Sequence, residues 1–362
     1  MPQFWPKRFK WFYQLLVLYF FLTGSDREAD DMTTKQKLAE LLEKSEGEFF
    51  SGNLLAEKLG VTRAAVWKNI RQLEAEGYKI EAVTNRGYRL EKEHDVVSEA
   101  GIRRELGDWA DLFTLEVYDS VSSTNTMLKE RADTLPEWAV IISGSQTAGR
   151  GRIGRSFYSP SDTGIYLSVL LRPSLPASEA VRITTAAAVA ACRAIEECTE
   201  AVPKIKWVND VFVDGKKVCG ILTEGSLNME TGGLDWAVMG IGLNVYEPEG
   251  GFPEEIRQIA GAIAQQRKKN LRNMLAASFL RQFYGICSNL PAADFAEEYR
   301  KRSFLQGKEV LVLRGETAVP ARVLEIDDDC RLVVQYENGS QEALSSGEVS
   351  IRLEENRKES DK

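Results

Sequence analysis

Apolar positions recur with helical spacing in the first quarter of the chain and with strand spacing towards its end. Within Lys35–Lys44, Leu38, Leu41 and Leu42 share one helical face. Ser51-Gly52 opens a second helix that reaches Leu59. Gly60-Val61-Thr62 then turns the chain, and Thr62 caps a third helix running to about Glu76. Ala56 is small where the helices touch, Gly60 sits in the turn and Val66 faces inward, the spacing of a helix-turn-helix. Tyr78–Val83, the turn Asn85-Arg86-Gly87 and Tyr88–Leu90 add a hairpin, so residues 32–92 read as a winged helix.

From Val97 to Gln265 the pattern alternates. Leu115–Tyr118, Ala139–Ser143, Gly164–Leu171, Lys204–Trp207 and Asp235–Gly242 are β-rich, whereas Thr124–Arg131 and the alanine-rich Ala177–Glu197 are helical. Asn270–Asn289 predicts a further helix with Leu271, Leu280, Phe283 and Ile286 apolar. A mixed α/β domain over 97–300 follows. Past Gly307 come the short strands Val310–Leu313, Ala318–Ile326, Arg331–Tyr336, Glu342–Ser345 and Val349–Leu353, joined by turns, which predict a small β-barrel over 305–354. The charged tail Glu354–Lys362 has the composition of a disordered segment. The fold class is thus α/β multidomain.

Candidate chemistry concentrates in the central domain. Residues 146–158 read Gln-Thr-Ala-Gly-Arg-Gly-Arg-Ile-Gly-Arg-Ser-Phe-Tyr. Gly149, Gly151 and Gly154 let backbone approach a ligand, and Arg150, Arg152 and Arg155 supply forked cationic donors for phosphate or carboxylate. The Gly-Lys-Ser/Thr ending of a nucleoside triphosphatase loop is missing. On composition alone, a ligand clamp and a solvated basic loop remain equal readings. Asp214-Gly215 lies between apolar alternations and predicts a hairpin of Val211–Val213 and Val218–Leu222, with Lys217 opening the second strand. Lys217 also suits a plain solvated lysine, and Asn209-Asp210 plain turn residues. Ser122-Ser123-Thr124-Asn125 forms a helix start that Ser123 or Thr124 caps. Gly240 and Gly242 mark a strand that lies close to something.

SSTN, then QTAGRGRIGRSFYS, KWVNDVFVDGKKVCGIL and GIGLN, in that order across more than a hundred residues, resemble the biotin protein ligases. The likeness begins near Met32, where the N-terminal segment resembles the DNA-binding domain of the bifunctional ligase–repressors. It implies two steps. Biotin and ATP give biotinyl-5′-adenylate, which a lysine of the biotin carboxyl carrier protein of acetyl-CoA carboxylase then attacks. It further implies Mg2+ with ATP, an SH3-like C-terminal domain, and biotin-dependent repression. Operator DNA and a homodimer when adenylate is bound follow from repression.

By resemblance, Ser123, Thr124, Asn125 and Gln146 hold the ureido end of biotin, and Arg150, Gly151 and Arg152 form the biotin and phosphate loop. Lys217 contacts the carboxylate and α-phosphate, with Arg152 and Asp210 completing the catalytic set. Gly220, Gly240 and Gly242 line the biotin slot, while Arg152, Arg155, Asn209, Asp210 and Asn244 face the nucleotide. No protein-built metal site is implied. Two departures stand out: Phe157 replaces the usual tryptophan, and Val208 interrupts Trp-Pro-Asn, leaving the backbone before Asp210 less fixed. The rivals are a lipoate or octanoate protein ligase and a non-catalytic ligand-sensing transcription factor. The arginine loop and Lys-Trp-x-Asn-Asp favour biotin over the first, and retention of Lys217 with Arg152 argues against the second.

Charge and composition refine this picture. The 362 residues are 43% hydrophobic and 28% charged, and the net charge of −8 argues against indiscriminate nucleic-acid coating. Residues 32–92 nevertheless hold eleven Lys/Arg against nine Asp/Glu. Arg63, Lys68 and Arg71 beside the third helix, with Arg86 at the wing tip, tilt that domain towards DNA rather than protein docking. Five cysteines without C-x-x-C spacing read as reduced thiols, and the single histidine, His94, gives little support to Ser-His or Cys-His catalysis. Lys7, Arg8 and Lys10 precede the apolar run Trp11–Leu22, too short to span a bilayer and followed by no A-x-A-like site. Given the resemblance from Met32, residues 1–31 read as an upstream-extended start and the protein as cytoplasmic, without a membrane partner.

Overall fold

The computed structural model describes residues 33–351 except 46, 76–77, 92–94, 289, 291–293, 315–316 and 346–347. The expectations for 1–31, His94 and the tail lie outside the described residues. The chain divides into two compact units, 1–92 and 93–362.

In the first unit, helices Thr34–Lys44, Gly52–Leu59 and Arg63–Ala75 precede the antiparallel hairpin β1 (Ile80–Val83) and β2 (Gly87–Leu90). Thr33 caps the first helix in a capping box with Gln36, and Ser51 caps the second. Gly60 ends the second helix at φ 66°, the left-handed position that its missing Cβ permits. Thr62 Oγ1 accepts from Ala65 N at 3.2 Å, as its predicted cap role requires. Leu38, Leu42, Leu55, Val66, Ile70 and Leu73 are buried, so the apolar stripes converge on one core.

The second unit is built on a seven-stranded sheet ordered β3-β4-β5-β9-β8-β7-β6. Its strands are β3 (Thr114–Tyr118), β4 (Ala139–Ser143), β5 (Gly164–Leu171), β6 (Lys204–Lys206), β7 (Asp210–Val213), β8 (Lys216–Leu227) and β9 (Leu234–Asn244). Only β3 and β4 pair in parallel. Alternation sorts the residues by face. Ile165, Leu167, Val169 and Leu171 of β5, with Ala237, Met239, Ile241 and Leu243 of β9, join the main core beneath helices Val181–Cys198 and Leu271–Cys287. The intervening Tyr166 and Ser168 of β5, and Gly240, Gly242 and Asn244 of β9, occupy the opposite face. That face carries the site.

Several boundaries differ from expectation. A separate turn at Ala177–Glu179 precedes the long helix, which starts at Val181. Helices Glu99–Leu106, Glu254–Arg257 and Ala296–Arg302 were not anticipated; each is short, and the charged faces of the first and third carry little apolar periodicity. The C-terminal strands β10 (Glu309–Arg314), β11 (Thr317–Ile326), β12 (Leu332–Tyr336), β13 (Gln341–Leu344) and β14 (Glu348–Ile351) form an antiparallel sheet ordered β13-β12-β11-β10-β14. Among the described residues no ladder joins β13 to β14, so the sheet is open.

An ionic cluster ties Ala296–Arg302 to the long helix. Arg193 Nε donates to Glu298 Oε2 at 3.1 Å, Arg302 Nε donates to Glu298 Oε1 at 3.0 Å, and Arg302 also grips Glu196 at 2.6 and 2.8 Å. Burial opposes ionisation of Glu298, but the arginine hydrogen bonds and charges prevail and hold its carboxyl below the ordinary 4.5. A depressed folded-state value stabilises above the unfolded value and loses that effect as pH falls through it. Glu298→Gln is therefore expected to lower the thermal midpoint at pH 7 by roughly 2–4 °C, about 1 kcal/mol. The gap from wild type should close as pH drops below 4.5. A gap that stays constant from pH 7 to pH 3 in calorimetry contradicts this account.

Candidate active site

All fifteen residues expected to meet biotin or nucleotide line one cavity of about 610 Å³ on the site face of the sheet. Its polar end begins at Ser123, whose Oγ accepts from Thr126 N at 3.4 Å and caps helix Thr124–Glu130. Thr124 donates from its backbone N and its hydroxyl to Gln146 Oε1, at 2.9 and 3.2 Å, and Gln146 Nε2 donates to Ser159 Oγ at 2.9 Å. Ser168 Oγ donates to Asn125 Oδ1 at 2.6 Å. Asn125 Nδ2 in turn donates to Leu222 O at 3.2 Å and Glu224 Oε2 at 2.9 Å. Both amide hydrogens of Asn125 are thus committed to protein acceptors, leaving it only an acceptor lone pair to offer.

The glycines of the slot make room for protein side chains. A Cβ on Gly240 would stand 1.9 Å from Asn125 Oδ1, and one on Gly242 would stand 2.3 Å from Phe157 Cε1. Gly220 faces the same ring at 3.0 Å. Phe157 therefore lies over β8 and β9, its ring edge-on to Tyr166 at 6.4 Å.

At the charged end, Lys217 Nζ lies 2.6 Å from Asp210 Oδ1, across the β7–β8 hairpin that the Asp-Gly turn closes. Arg152 donates to Asn209 Oδ1 at 3.0 Å, and Asn209 Nδ2 donates to Ile221 O at 3.0 Å. Arg150 reaches Glu224 Oε1 at 3.1 Å. Gly151 N bonds Arg155 O at 2.7 Å, folding the loop back on itself, and exposed Arg155 stands at the cavity rim. Asn244 Nδ2 donates to Gly261 O at 3.1 Å. Lys217 donates from N to Ile259 O at 2.7 Å and accepts at O from Gly261 N at 2.9 Å, so segment 259–261 lies along the lysine's backbone. Phe252, Ile256 and Ile259 add an apolar wall.

The segment around Val208 is held by contacts from distant parts of the chain. Trp207 Nε1 donates to Cys330 O at 2.9 Å, and buried Tyr299 donates its hydroxyl to Val208 O at 3.0 Å. The C-terminal sheet and helix Ala296–Arg302 thus pin the segment leading into Asn209 and Asp210, a long-range restraint that the local sequence could not report. The Trp207–Val208 peptide is cis.

Sequence reasoning missed Ser168 and Glu224. Ser168 had a signal: it is a small hydroxyl residue between Leu167 and Val169 in the buried strand Gly164–Leu171. Glu224 had none, because its partners lie 74 to 99 residues away in sequence. All five cysteines are free, and burial raises the thiols of Cys192 to about 12 and Cys198 to about 11. Among the described residues no three His, Cys, Asp or Glu side chains gather as a metal site, and no helix is long and apolar enough to cross a membrane.

The expected DNA contacts lie in the first unit. Arg63, Lys68, Arg71 and Arg86 are all exposed. Arg71 pairs with Glu74 at 3.0 Å and stands 5.5 Å from the ring of Trp67, and Arg86 stacks on Phe49 at 4.6 Å.

Comparison with known proteins agrees with this arrangement. Models of the biotin/lipoate A/B protein ligase family, an HTH domain and the biotin protein ligase C terminal domain match residues 117–244, 34–89 and 306–352. The bifunctional ligase/repressor BirA of Bacillus subtilis is 38% identical over 234 residues, 64% of this chain and 71% of that protein. BirA of Escherichia coli is 28% identical over 329 residues, 90% of this chain and 99% of its own length. A solved biotin protein ligase from Aquifex aeolicus, in complex with biotin and ATP, superposes with a TM-score of 0.56 at 27% identity, covering 66% of this chain and 98% of that one. With the motif residues gathered in one cavity and these relatives beside it, the chain belongs to the biotin protein ligase family, in the form that carries an N-terminal helix-turn-helix.

Proposed function

We propose that this protein activates biotin with ATP and transfers it to a lysine of the biotin carboxyl carrier protein of acetyl-CoA carboxylase, and that it represses transcription in response to biotin. One observation carries the ligase half: a cation–carboxylate pair, Lys217–Asp210, and a self-satisfied polar end line the same cavity. In the first step a biotin carboxylate oxygen attacks the α-phosphorus of ATP and expels pyrophosphate. In the second, the carrier lysine attacks the acyl carbon and expels AMP. Both steps call for charge neutralisation and alignment rather than a protein nucleophile.

Lys217 and Arg152 neutralise the meeting anions, and Asp210 orients the Lys217 ammonium. Ser123, Thr124 and Gln146 receive the ureido group, with Asn125 shaping that end. Arg155, Asn209 and Asn244 face the nucleotide. Among the described residues Asp210 is the one acidic side chain lining the cavity, which fits Mg2+ carried in on the ATP phosphates rather than in a protein-built site. We read the C-terminal sheet as an SH3-like fold whose hold on Trp207, together with that of Tyr299 on Val208, keeps the segment entering Asn209 and Asp210 in place. The cytoplasm is the compartment where ATP, carrier and operator meet. Incubation with biotin, ATP and a carrier domain tests the ligase half: one carrier lysine gains the biotinyl mass, and an unmodified carrier refutes it.

For the repressor half, the exposed basic residues of helix Arg63–Ala75 and the wing support operator binding by a homodimer when adenylate is bound. Biotin plus ATP should tighten operator binding in a gel shift, and equal affinity with and without them rejects the coupling. Lys68→Ala should weaken binding across sequences and reduce the slope of log affinity against log salt by about one. An unchanged slope removes Lys68 from the phosphate contacts.

A further inference from the structure

We propose that Glu224 is a positioning residue that latches the glycine–arginine loop in the ligand-free protein, and that this latch governs how long an activated ligand stays in the cavity. Glu224 lies on β8, the strand that begins with the Lys216-Lys217 pair. Its carboxylate gathers three partners from two separate segments. Oε2 accepts from Asn125 Nδ2 at 2.9 Å, Oε1 accepts from Lys129 Nζ at 2.7 Å, and Oε1 lies 3.1 Å from Arg150 NH1. Asn125 and Lys129 belong to helix Thr124–Glu130, and Arg150 is the first arginine of the loop. One side chain thus joins the sheet, the helix at the polar end and the loop.

The Glu224 side chain is 20% exposed, so its ion pairs are less screened than surface pairs. Burial works against the carboxylate, but the hydrogen bonds from Lys129 and Asn125 and the charges of Lys129 and Arg150 outweigh it and hold the carboxyl below its ordinary range. The group is therefore ionised at neutral pH, as a latch on a cation requires. Arg152 gives the loop a second side-chain tether, donating to Asn209 Oδ1 at 3.0 Å. Lys129 can hold Glu224 without holding the loop, whereas Arg150 cannot be held without Glu224. The two cations consequently separate a structural role from a latching one.

The loop half of the proposal needs no ligand, and the retention half rests on the ligase reading. Subtilisin cleavage within residues 147–158 of the ligand-free full chain reads loop opening. Glu224→Gln keeps the side-chain shape and an acceptor for Asn125 but removes the charge; cleavage should accelerate at least 5-fold while the thermal midpoint falls by no more than roughly 2–4 °C. Arg150→Gln should match it, and the double variant should cleave no faster than either single one. Lys129→Met should stay within 2-fold of wild type. Glu224→Asp, a second variant in case the first folds poorly, should fall between. In wild type and Glu224→Gln loaded with biotin and ATP, release of biotinyl-adenylate should quicken about 10-fold in the variant. Wild-type cleavage rates in Glu224→Gln, additive effects of the two substitutions, or equal acceleration in Lys129→Met overturn the latch. Altered cleavage with unchanged release overturns the retention half, and absence of adenylate in wild type refutes the ligase reading while the cleavage data still decide the latch.

Discussion

Lys217→Ala is expected to reduce adenylate formation by two to three orders of magnitude while leaving the fold intact. The Lys217 ammonium stands 2.6 Å from Asp210 at the charged end of the cavity. Removing it leaves a carboxylate facing the place where a second carboxylate must meet a phosphate, so repulsion replaces neutralisation. Loss of one such preorganised donor costs about 3–4 kcal/mol of transition-state stabilisation. The strand does not depend on the side chain. Lys217 holds segment 259–261 through its backbone N and O, and Lys216 meets the carbonyl of Gln258 at 2.7 Å. Circular dichroism should match wild type. A variant that retains more than a tenth of wild-type pyrophosphate exchange removes Lys217 from its assigned role.

The largest expected loss of stability belongs to Gly240→Ala. The added Cβ would fall 1.9 Å from Asn125 Oδ1. Neither side can easily give way. Gly240 is paired with Ser168 on one flank and Leu222 on the other, in the middle of the sheet. Asn125 is fixed by Ser168, Leu222 and Glu224. Expelling the amide leaves several buried polar groups unpaired, at about 1–3 kcal/mol each. We expect destabilisation of about 3 kcal/mol or more in denaturant unfolding. Asn125→Ala in the same chain removes the clash and should restore part of that loss. If Gly240→Ala unfolds within 1 kcal/mol of wild type (about a fivefold change in the equilibrium), the packing argument fails.

Local chemistry was legible in the sequence where neighbours in the chain decide the outcome. The Asp214-Gly215 turn announced the β7–β8 hairpin, Ser123 its helix cap, and the alternation of β5 and β9 the two-faced sheet. The glycines of GIGLN correctly signalled a close approach, but the sequence did not say to what. The structure answers Asn125 and Phe157, side chains more than eighty residues upstream. Long-range contacts account for the remaining gaps. Glu224 gathers Asn125, Lys129 and Arg150 only after folding, and the hold of Tyr299 and Cys330 on Trp207 and Val208 spans 91 and 123 positions. Short helices such as Glu99–Leu106 escaped because one or two turns show too little periodicity to register. The β-barrel expectation rested on strand spacing alone, which fixes strand number better than closure.

Exchange of labelled pyrophosphate into ATP by the purified full-length protein tests the central claim most directly, since it reads the first chemical step without carrier protein or DNA. Biotin should drive exchange, while lipoate and octanoate at the same concentration should neither support it nor compete. Exchange driven by lipoate or octanoate, or none with biotin, would contradict the account.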